Sequence, residues 1–325
     1  MEGAQLYILD VGHGNSAVLR DSIGVLVVDA GPRTSLLEFL LQEGIARVDV
    51  VLVSHADKDH VEGLISLIES ETVEIGRVRL NTDLAKESKL WSHLLYLLDK
   101  CHREKKIDFN VALTTRDTGT FDQGSVHVEI LAPSLRVAGA GAGSKINGKK
   151  LKTNTISAVI RLMADNTPQI LLCGDIDDTG LTEMLKDFPN PIAATLVFPH
   201  HGGHADVHDM AAFANRLCEA VKPSTVIFSI GRGLHATPIP EVVAAVRRYA
   251  GSPRIVCTQL SERCAANSAD ADPTHLLAVH SAGKEFGRCC SGTIRVGMRD
   301  GEIEPSRACH VAFIDAFAPT ALCRN

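Results

Sequence analysis

The sequence predicts an α/β fold in which two sheets are enclosed by helices. Short apolar runs with strand-like patterns alternate with segments of helical spacing along most of the chain. The 325 residues are 45% hydrophobic and 22% charged, which is typical of a folded α/β enzyme and excludes global disorder. No apolar run approaches the roughly 18 residues that would span a bilayer. A layered domain with its own core accounts for all of these elements.

The first half of the chain opens with hairpins and continues with alternating strands and helices. Its predicted strands lie at residues 6–9, 17–20, 25–28, 48–53, 73–80, 109–113 and 126–131. Its predicted helices lie at residues 36–43, 61–69 and 86–103. The run at 48–53 is almost unbroken and apolar, as in a strand covered on both faces. Residues 137–150 carry many glycines and little side-chain mass, so this segment is predicted to be a mobile loop.

The second half repeats the alternation before the pattern weakens. Its predicted strands lie at residues 156–162, 169–173, 196–198, 225–230 and 254–257, and its helices lie near 209–221 and 240–249. From residue 261 onward only residues 276–279 and 293–296 have strand patterns. We therefore expect one domain over residues 1–260. Residues 261–325 are expected to form a cysteine-containing C-terminal extension that packs on this domain and offers a surface for a protein partner.

Charge and the first residues bear on location and partners. The 33 basic and 39 acidic residues give a net charge of −6, so no global field attracts nucleic acid or anionic lipid. Any nucleic-acid contact therefore needs a local basic patch. The chain starts directly with a strand pattern and has no leader-like segment there. We expect a cytoplasmic protein that makes no membrane contact, and the sequence leaves its oligomeric state open.

Nine cysteines, most of them late in the chain, fit reduced thiols better than a disulfide framework. A structural zinc is one interpretation of the C-terminal group Cys257, Cys264, Cys289, Cys290, His275 and His280. These spacings do not form two Cys-x-x-Cys pairs. Free buried thiols are therefore the preferred interpretation.

A loop after the most apolar strand carries four possible metal ligands within six residues: His55, Asp57, Asp59 and His60. The spacing places His55 and Asp57 on one side of a strand terminus. Asp59 and His60, which enter the next helix, can turn toward a second ion about 3.5–4 Å away. The loop therefore predicts two divalent ions. The alternative is a solvated polar loop with two incidental histidines.

At this loop the sequence resembles the metallo-β-lactamase superfamily, and more narrowly the hydrolase domain of the ComEC competence proteins, whose signature is His-x-Asp-x-Asp-His. Five further segments match in the same order: Asp10-Val11-Gly12-His13-Gly14-Asn15-Ser16, Asp29-Ala30-Gly31, Asn154-Thr155-Ile156-Ser157, Cys173-Gly174-Asp175-Ile176 and Pro199-His200-His201-Gly202-Gly203. The resemblance implies a metallo-β-lactamase-like αββα sandwich of two mixed sheets flanked by helices.

The resemblance also implies roles for individual residues. His55 and Asp57 would hold one ion, Asp59, His60 and His200 the other, and Asp175 would bridge them. Because two adjacent side chains diverge, His201 would face the substrate. Asp29 would be a buried anchor behind the ligands.

Three positions depart from the family pattern. The usual third histidine on the first ion is missing, and Asn154 is the only suitable residue in the matching place. Asn15 stands where the competence proteins have an acid, and Thr237 where they have a histidine before proline. His235, two residues earlier, is a candidate replacement. Occupancy of the first metal site is accordingly an open point of the prediction.

The predicted chemistry is hydrolysis of a phosphodiester. Two ions and three carboxylates leave +1, which a hydroxide neutralises, and both ions stabilise an in-line transition state. Asp57 in place of an imidazole makes the first site harder, which favours manganese or magnesium, and zinc remains a candidate; manganese and zinc are the ions we expect. Lys149, Lys150 and Asn154, close in sequence, are expected to contact the substrate. Asp59 and His201 are also expected to be catalytic residues.

The loop after the strand at 225–230 is expected to bind the substrate and to donate a proton to it. His235 is expected to protonate the leaving oxygen, and Arg232 to bind a phosphate oxygen. His13, in the opening segment, is a further candidate for substrate binding. A helix cap or a solvent-facing side chain is the alternative for His235.

We expect a nuclease that acts on DNA or RNA, in nucleic-acid turnover or defence against phage. The same fold and metals could instead open a small phosphodiester, a lactam or a thioester. A regulatory subunit that kept the fold without catalysis is the alternative from another class.

Overall fold

The computed structural model describes residues 3–83, 85–205, 207, 209–233, 235–267 and 274–324. The strands are β1 Gln5–Ile8, β2 Ala17–Asp21, β3 Gly24–Val28, β4 Arg47–Leu52, β5 Glu74–Arg79, β6 Asp108–Asn110, β7 Val126–Ala132, β8 Lys145–Ile146, β9 Lys149–Lys150, β10 Val159–Ala164, β11 Thr167–Leu172, β12 Thr195–Val197, β13 Thr225–Phe228, β14 Arg254–Cys257, β15 Ile294–Gly297 and β16 Ile303–Glu304. The helices are α1 Ser35–Gln42, α2 Lys58–Ser70, α3 Lys89–Arg103, α4 Leu135–Ala140, α5 Asp178–Asp187, α6 Met210–Val221, α7 Pro240–Arg248 and α8 Arg307–Phe317.

Two mixed sheets form the centre of the molecule. The first has the order β16-β15-β1-β2-β3-β4-β5-β6, with parallel pairing from β3 to β6. The second has the order β14-β13-β12-β11-β10-β7, with parallel pairing from β11 to β14. Strands β15 and β16, which come from the C-terminal segment, extend the first sheet: β15 pairs antiparallel with β1, and β16 pairs antiparallel with β15.

Three apolar layers hold the sheets and helices together. One layer lies between the sheets and joins residues such as Leu26 and Leu52 of the first sheet to Ile160 and Ile170 of the second. A second layer packs the other face of the first sheet on α1, α2 and α3. A third packs the second sheet on α5, α6 and α7. The predicted sandwich of two mixed sheets flanked by helices is therefore confirmed.

The glycine-rich segment differs from its prediction as a mobile loop. It forms the short helix α4 and the hairpin of β8 and β9. Ser134 caps α4 by accepting a hydrogen bond from the Val137 amide. Val137, Ile146 and Leu151 are buried in a small cluster of their own. Composition alone did not predict this packing, because a few apolar residues at the right positions are enough to order the segment.

The C-terminal segment is only partly as predicted. The expected strand at 293–296 is present as β15, whereas residues 276–279 form bends and no strand. Residues 268–273 lie outside the described part of the chain. Within the described residues, no helix is both long and apolar enough to cross a membrane.

The strand directions gather the polar loops on one edge of the sandwich. Strands β3 and β4 of the first sheet, and β11, β12 and β13 of the second, all end at this edge. The segments that follow these strands, including the first turn of α2, carry every predicted metal ligand. Carboxyl ends of parallel strands are a common position for ligand sites in α/β folds.

Candidate metal centre

Asp29 anchors the loop that carries the predicted ligands. It is buried at the end of β3, and its φ of 59° is in the left-handed region that Asp tolerates. The Ser54 amide donates to its Oδ1 at 2.7 Å, and the Ser54 hydroxyl donates to its Oδ2 at 2.7 Å. The position predicted for Asp29, behind the ligands, agrees with these contacts.

The same carboxylate fixes the orientation of His60. Nδ1 of His60 lies 2.8 Å from Oδ2 of Asp29, so the ring donates its Nδ1 proton to that oxygen. Nε2 then carries the lone pair, and it is buried without a hydrogen-bond partner. It lies 3.4 Å from Oδ1 of Asp175. A lone pair that faces a carboxylate requires a proton or a metal ion between them.

His201 has the same arrangement with a different partner. Its Nδ1 lies 2.7 Å from the carbonyl oxygen of Ser229, which can only accept a hydrogen bond, so Nδ1 carries the proton. Its Nε2 lies 3.1 Å from Oδ2 of Asp59. A second buried imidazole therefore presents its lone pair to a carboxylate.

These residues form one group whose ligand atoms all lie within 4.8 Å of one another: Asp59, His60, Asp175 and His201. Two imidazole nitrogens and two carboxylate oxygens are a donor set suited to zinc or manganese. Nε2 of His60 has no hydrogen-bond partner. Nε2 of His201 faces a carboxylate oxygen of Asp59, so two acceptors meet there. A cation would satisfy both nitrogens. The residues present therefore fit a divalent ion.

The charges in the group respond strongly to one another. Burial opposes the charged form of His60, but the surrounding carboxylates outweigh it and hold its pKa well above the usual value. Burial likewise opposes ionisation of Asp175, but the charges of His60 and His201 hold its pKa well below the usual range. The site thus keeps its carboxylates ionised, as metal binding requires.

The structure places both adjacent histidines, buried, next to Asp175, and it is His201 that lies within the group of four. His201 joins the group with Asp59, whereas Nδ1 of His200 lies 3.6 Å from Oδ2 of Asp175 and its Nε2 is buried without a partner. Both residues have left-handed backbone conformations, with φ of 52° and 55°. The alternation of side chains along an extended strand, on which the prediction relied, does not hold in such a turn.

His55 and Asp57 lie beside this group with other contacts. Nδ1 of His55 lies 3.0 Å from the Ser54 hydroxyl, and Nε2, which is buried, lies 3.5 Å from Oδ2 of Asp57. Lys86 forms an ion pair with Oδ1 of Asp57. The side-chain oxygen of Asn154 is buried without a partner in the short turn of residues 154–156.

A cleft of about 840 Å³ opens onto the metal group at Asp59. His13 lies at its inner end, with its ring centroid 4.3 Å from that of His201 and 4.3 Å from that of His235. Burial, followed by the charge of His201, lowers the pKa of His13 to about 4. His235 is exposed on the outer side of His13. Both predicted residues therefore lie next to the candidate site.

Other predicted substrate contacts have different partners. The Arg232 guanidinium donates to the carbonyl oxygens of Leu260, Ala265 and Ala266, so it ties the C-terminal segment to the domain. Arg232 also lines the cleft that opens at Asp59, and its contact with a phosphate stays a prediction. Lys149 and Lys150 are exposed on β9 and line a separate groove of about 610 Å³, not the cleft at Asp59. The order of the glycine-rich segment holds β9 there.

The cysteines are free thiols in the structure. Cys289 donates to Asp10 at 3.3 Å, and His275 lies 2.7 Å from the Cys290 carbonyl oxygen. Within the described residues, the one group of possible metal ligands that lies within 4.8 Å contains only Asp and His. The preferred interpretation of the cysteines as buried thiols agrees with this arrangement.

Several residues that shape the site were missed by sequence reasoning. Ser54, Ser157 and Ser229 orient the histidines or the Asp175 amide by hydrogen bonds. Lys86 lies far from the ligand loop in sequence. A serine or a lysine in a loop carries no distinctive pattern. Only Ser157, within the Asn154 segment that resembles the family, had a signal that could have marked it.

Residues 9–139 match the family model described as "Metallo-beta-lactamase superfamily". ComE operon protein 3 of Bacillus subtilis (strain 168) is 22% identical over 264 residues, which cover 74% of this chain and 30% of that protein. The chain thus spans about 30% of the length of this curated relative. The family match and the two-sheet architecture confirm the predicted resemblance and fold class. Residues 9–139 are thus similar to the metallo-beta-lactamase superfamily, and the described chain holds a cluster of Asp and His residues suited to a divalent ion.

Two solved structures are partly similar to this chain. The metallo-beta-lactamase fold protein YhfI from Bacillus subtilis is 12% identical, with a TM-score of 0.48, and the match covers 78% of this chain and 97% of that one. The short form of human tRNase Z is 14% identical, with a TM-score of 0.41, and the match covers 69% of this chain and 91% of that one.

Proposed function

From a metallo-beta-lactamase domain with an Asp and His cluster for a divalent ion, we propose that this protein is a metal-dependent phosphodiesterase that acts on nucleic acid. Its ion is manganese or zinc, held by Asp59, His60, Asp175 and His201. When bound, such an ion supplies a more acidic water and positive charge for a phosphoryl transition state.

One observation carries the choice of a nucleotide substrate: the wall of the cleft combines cations with an exposed aromatic ring. Phe286 is 60% exposed on this wall, and the Arg288 guanidinium lies 5.0 Å from its ring centroid. Lys284 and Arg33 line the same cleft. An exposed ring that can stack on a base, next to side chains that attract phosphate, is a typical nucleic-acid surface.

The chain's own residues divide the remaining work. Asp29 and Ser229 hold the imidazoles of His60 and His201 with their lone pairs inward. His235, exposed beside His13, supplies a proton to the leaving oxygen. The C-terminal segment contributes Phe286 and thereby forms part of the binding surface.

The cellular setting extends this proposal. A nuclease of this kind in the cytoplasm would act in nucleic-acid turnover or in defence against phage. A strain that lacks the protein should then show altered phage plating or altered nucleic-acid decay. A protein partner on the C-terminal extension is a further expectation, which co-purification would test.

A substrate panel tests the activity. The purified protein should hydrolyse bis-p-nitrophenyl phosphate in manganese or zinc, and one of plasmid DNA, single-stranded DNA and RNA should be cleaved. Asp59→Ala should lower both activities at least a hundredfold, because it removes a ligand. Turnover of a cyclic dinucleotide, a lactam or a thioester alone would replace the nuclease proposal. No hydrolysis of any of them would favour a regulatory role.

Phe286→Ala tests the nucleotide surface separately. Stacking contributes about 1–3 kcal/mol per base, so KM for single-stranded DNA or RNA should rise about 5- to 150-fold. Turnover of bis-p-nitrophenyl phosphate, which has no base, should be unchanged. Tyr96→Ala, at a ring that is 61% exposed on α3, is the matched control and should alter neither activity. An unchanged KM in Phe286→Ala would remove Phe286 from the binding surface.

A further inference from the structure

Asp57, which the resemblance gave to a metal ion, has one carboxylate oxygen paired with a lysine of the chain itself, while the other faces an imidazole nitrogen that has no hydrogen-bond partner. Its Oδ2 lies 3.5 Å from Nε2 of His55, and its Oδ1 is paired with the Lys86 ammonium. The Asp57 carboxylate is therefore already paired with a cation of the chain itself.

Lys86 reaches Asp57 from the segment between β5 and α3. Its amide donates to the Asp83 carbonyl oxygen at 3.3 Å. The Ser88 amide donates to the Lys86 carbonyl oxygen at 3.0 Å, and Ser88 caps α3 through the Trp91 amide. The Lys86 side chain is 28% exposed, so most of it is packed. Its position is fixed by the fold, unlike that of a freely rotating surface lysine.

The two sides of the centre differ in what they offer a metal. The group of Asp59, His60, Asp175 and His201 has four ligand atoms within 4.8 Å, and no lysine or arginine of the described chain forms an ion pair with it. The side of Asp57 has an asparagine, Asn154, in place of the expected third histidine. A divalent ion at Asp57 would have to displace the ammonium or lie against it.

We propose that the Lys86 ammonium takes the place of a second divalent ion, so that the chain holds one resident ion, on the group around Asp59. One divalent ion and one ammonium supply +3, which balances the three carboxylates Asp57, Asp59 and Asp175. The inference rests on the proposed function only in that it concerns the same site. It replaces the expectation of two ions from the sequence.

This arrangement gives Lys86 a direct role toward the substrate. An ammonium beside the ion can donate hydrogen bonds to a phosphate oxygen as a point charge. Unlike a divalent ion, it adds no second acidic water. The chemistry at the Asp57 side is thereby limited to binding and orientation of the phosphate.

Metal stoichiometry tests the inference without any activity measurement. After dialysis against metal-free buffer, elemental analysis should find about one divalent ion per wild-type chain. In Lys86→Met, titration with Mn²⁺ should reveal a second ion that binds at least tenfold more tightly than in the wild type, since Asp57 is then unpaired. Lys86→Arg, which keeps the charge, should bind one ion. Lys89→Met, which removes an exposed lysine three positions away, is the matched control and should also bind one.

Asp57→Asn provides an independent variant. It should keep one ion at wild-type affinity, because Asp57 is not a ligand of the resident ion. Two tightly bound ions in the wild type, an unchanged titration in Lys86→Met, or loss of the resident ion in Asp57→Asn would each overturn the inference. One ion without any phosphodiester hydrolysis would refute the proposed function and leave the inference intact. Phosphodiester hydrolysis by a wild-type chain that holds two tightly bound ions would support the proposed function and overturn the inference.

Discussion

Replacing Asp29 by asparagine should weaken metal binding although Asp29 touches no metal ion. The asparagine oxygen can still accept the Ser54 amide proton, and asparagine tolerates the left-handed φ of 59° at this position. Its amide group, however, presents N–H to Nδ1 of His60, where the aspartate presented an acceptor. The imidazole proton then moves to Nε2, the atom that should bind the ion.

The expected size follows from that change of tautomer. Loss of a carboxylate behind a metal-binding histidine typically costs 10- to 100-fold in affinity, which is about 1.4–2.8 kcal/mol. The lost charge-assisted hydrogen bonds should also lower the free energy of unfolding by about 1.5–3 kcal/mol. Calorimetric titration with Zn²⁺ or Mn²⁺ measures the first effect, and urea unfolding of the metal-free protein measures the second.

A matched control separates the tautomer from a general loss of charge. Asp49 on β4 accepts the Val25 amide at 2.9 Å and pairs with Arg47, away from the metal group. Asp49→Asn should therefore leave metal affinity unchanged. If Asp29→Asn binds the ion as tightly as the wild type while it remains folded, the assigned orientation of His60 is wrong.

Three further predictions concern the fold, the proton donor and acid stability. Gly174→Ala should lower the free energy of unfolding by about 3 kcal/mol, because φ is +50° and a Cβ would lie 2.4 Å from the Ser157 hydroxyl, whereas Gly139→Ala meets no atom within 4 Å and serves as its control. His235→Ala should slow cleavage of DNA much more than that of bis-p-nitrophenyl phosphate, whose phenolate leaves unprotonated, and equal losses would exclude an acid role. Burial lowers the pKa of His310 to about 4, so the unfolded chain binds a proton that the folded chain lacks between about pH 6.5 and 4. Stability should fall by up to about 3 kcal/mol across that window, and urea unfolding of His310→Gln should show a correspondingly smaller fall.

Much of the fold could be predicted because its signals are local. The apolar run at β4 and the helical spacing of α2 each report their own burial, and the loop between them carries its ligands in adjacent positions. For residues 137–150 the glycine-rich composition predicted a mobile loop, which is wrong because an apolar cluster around Val137 and Leu151 orders the segment. That cluster depends on contacts between turns, which composition does not encode.

The candidate site was predictable in its residue types but not in its geometry. Which of His200 and His201 joins Asp59 depends on the left-handed turn at residues 199–202, and sequence spacing does not specify this turn. Lys86 is 29 residues from Asp57, and only the packing of two loops brings them together. The carbonyl oxygens of Ala265 and Ala266 that hold Arg232 come from the C-terminal segment, and no sequence pattern indicated that contact.

The most direct test of the central claim measures metal content and hydrolysis on one preparation of Asp175→Ala. Asp175 lies within the group of four ligands, and its Oδ1 also accepts the His200 amide at 3.1 Å, so its loss should release the resident ion. We expect divalent metal per chain and hydrolysis of bis-p-nitrophenyl phosphate to fall together, the latter more than a hundredfold. An Asp175→Ala protein that keeps its ion and its full activity would contradict the account.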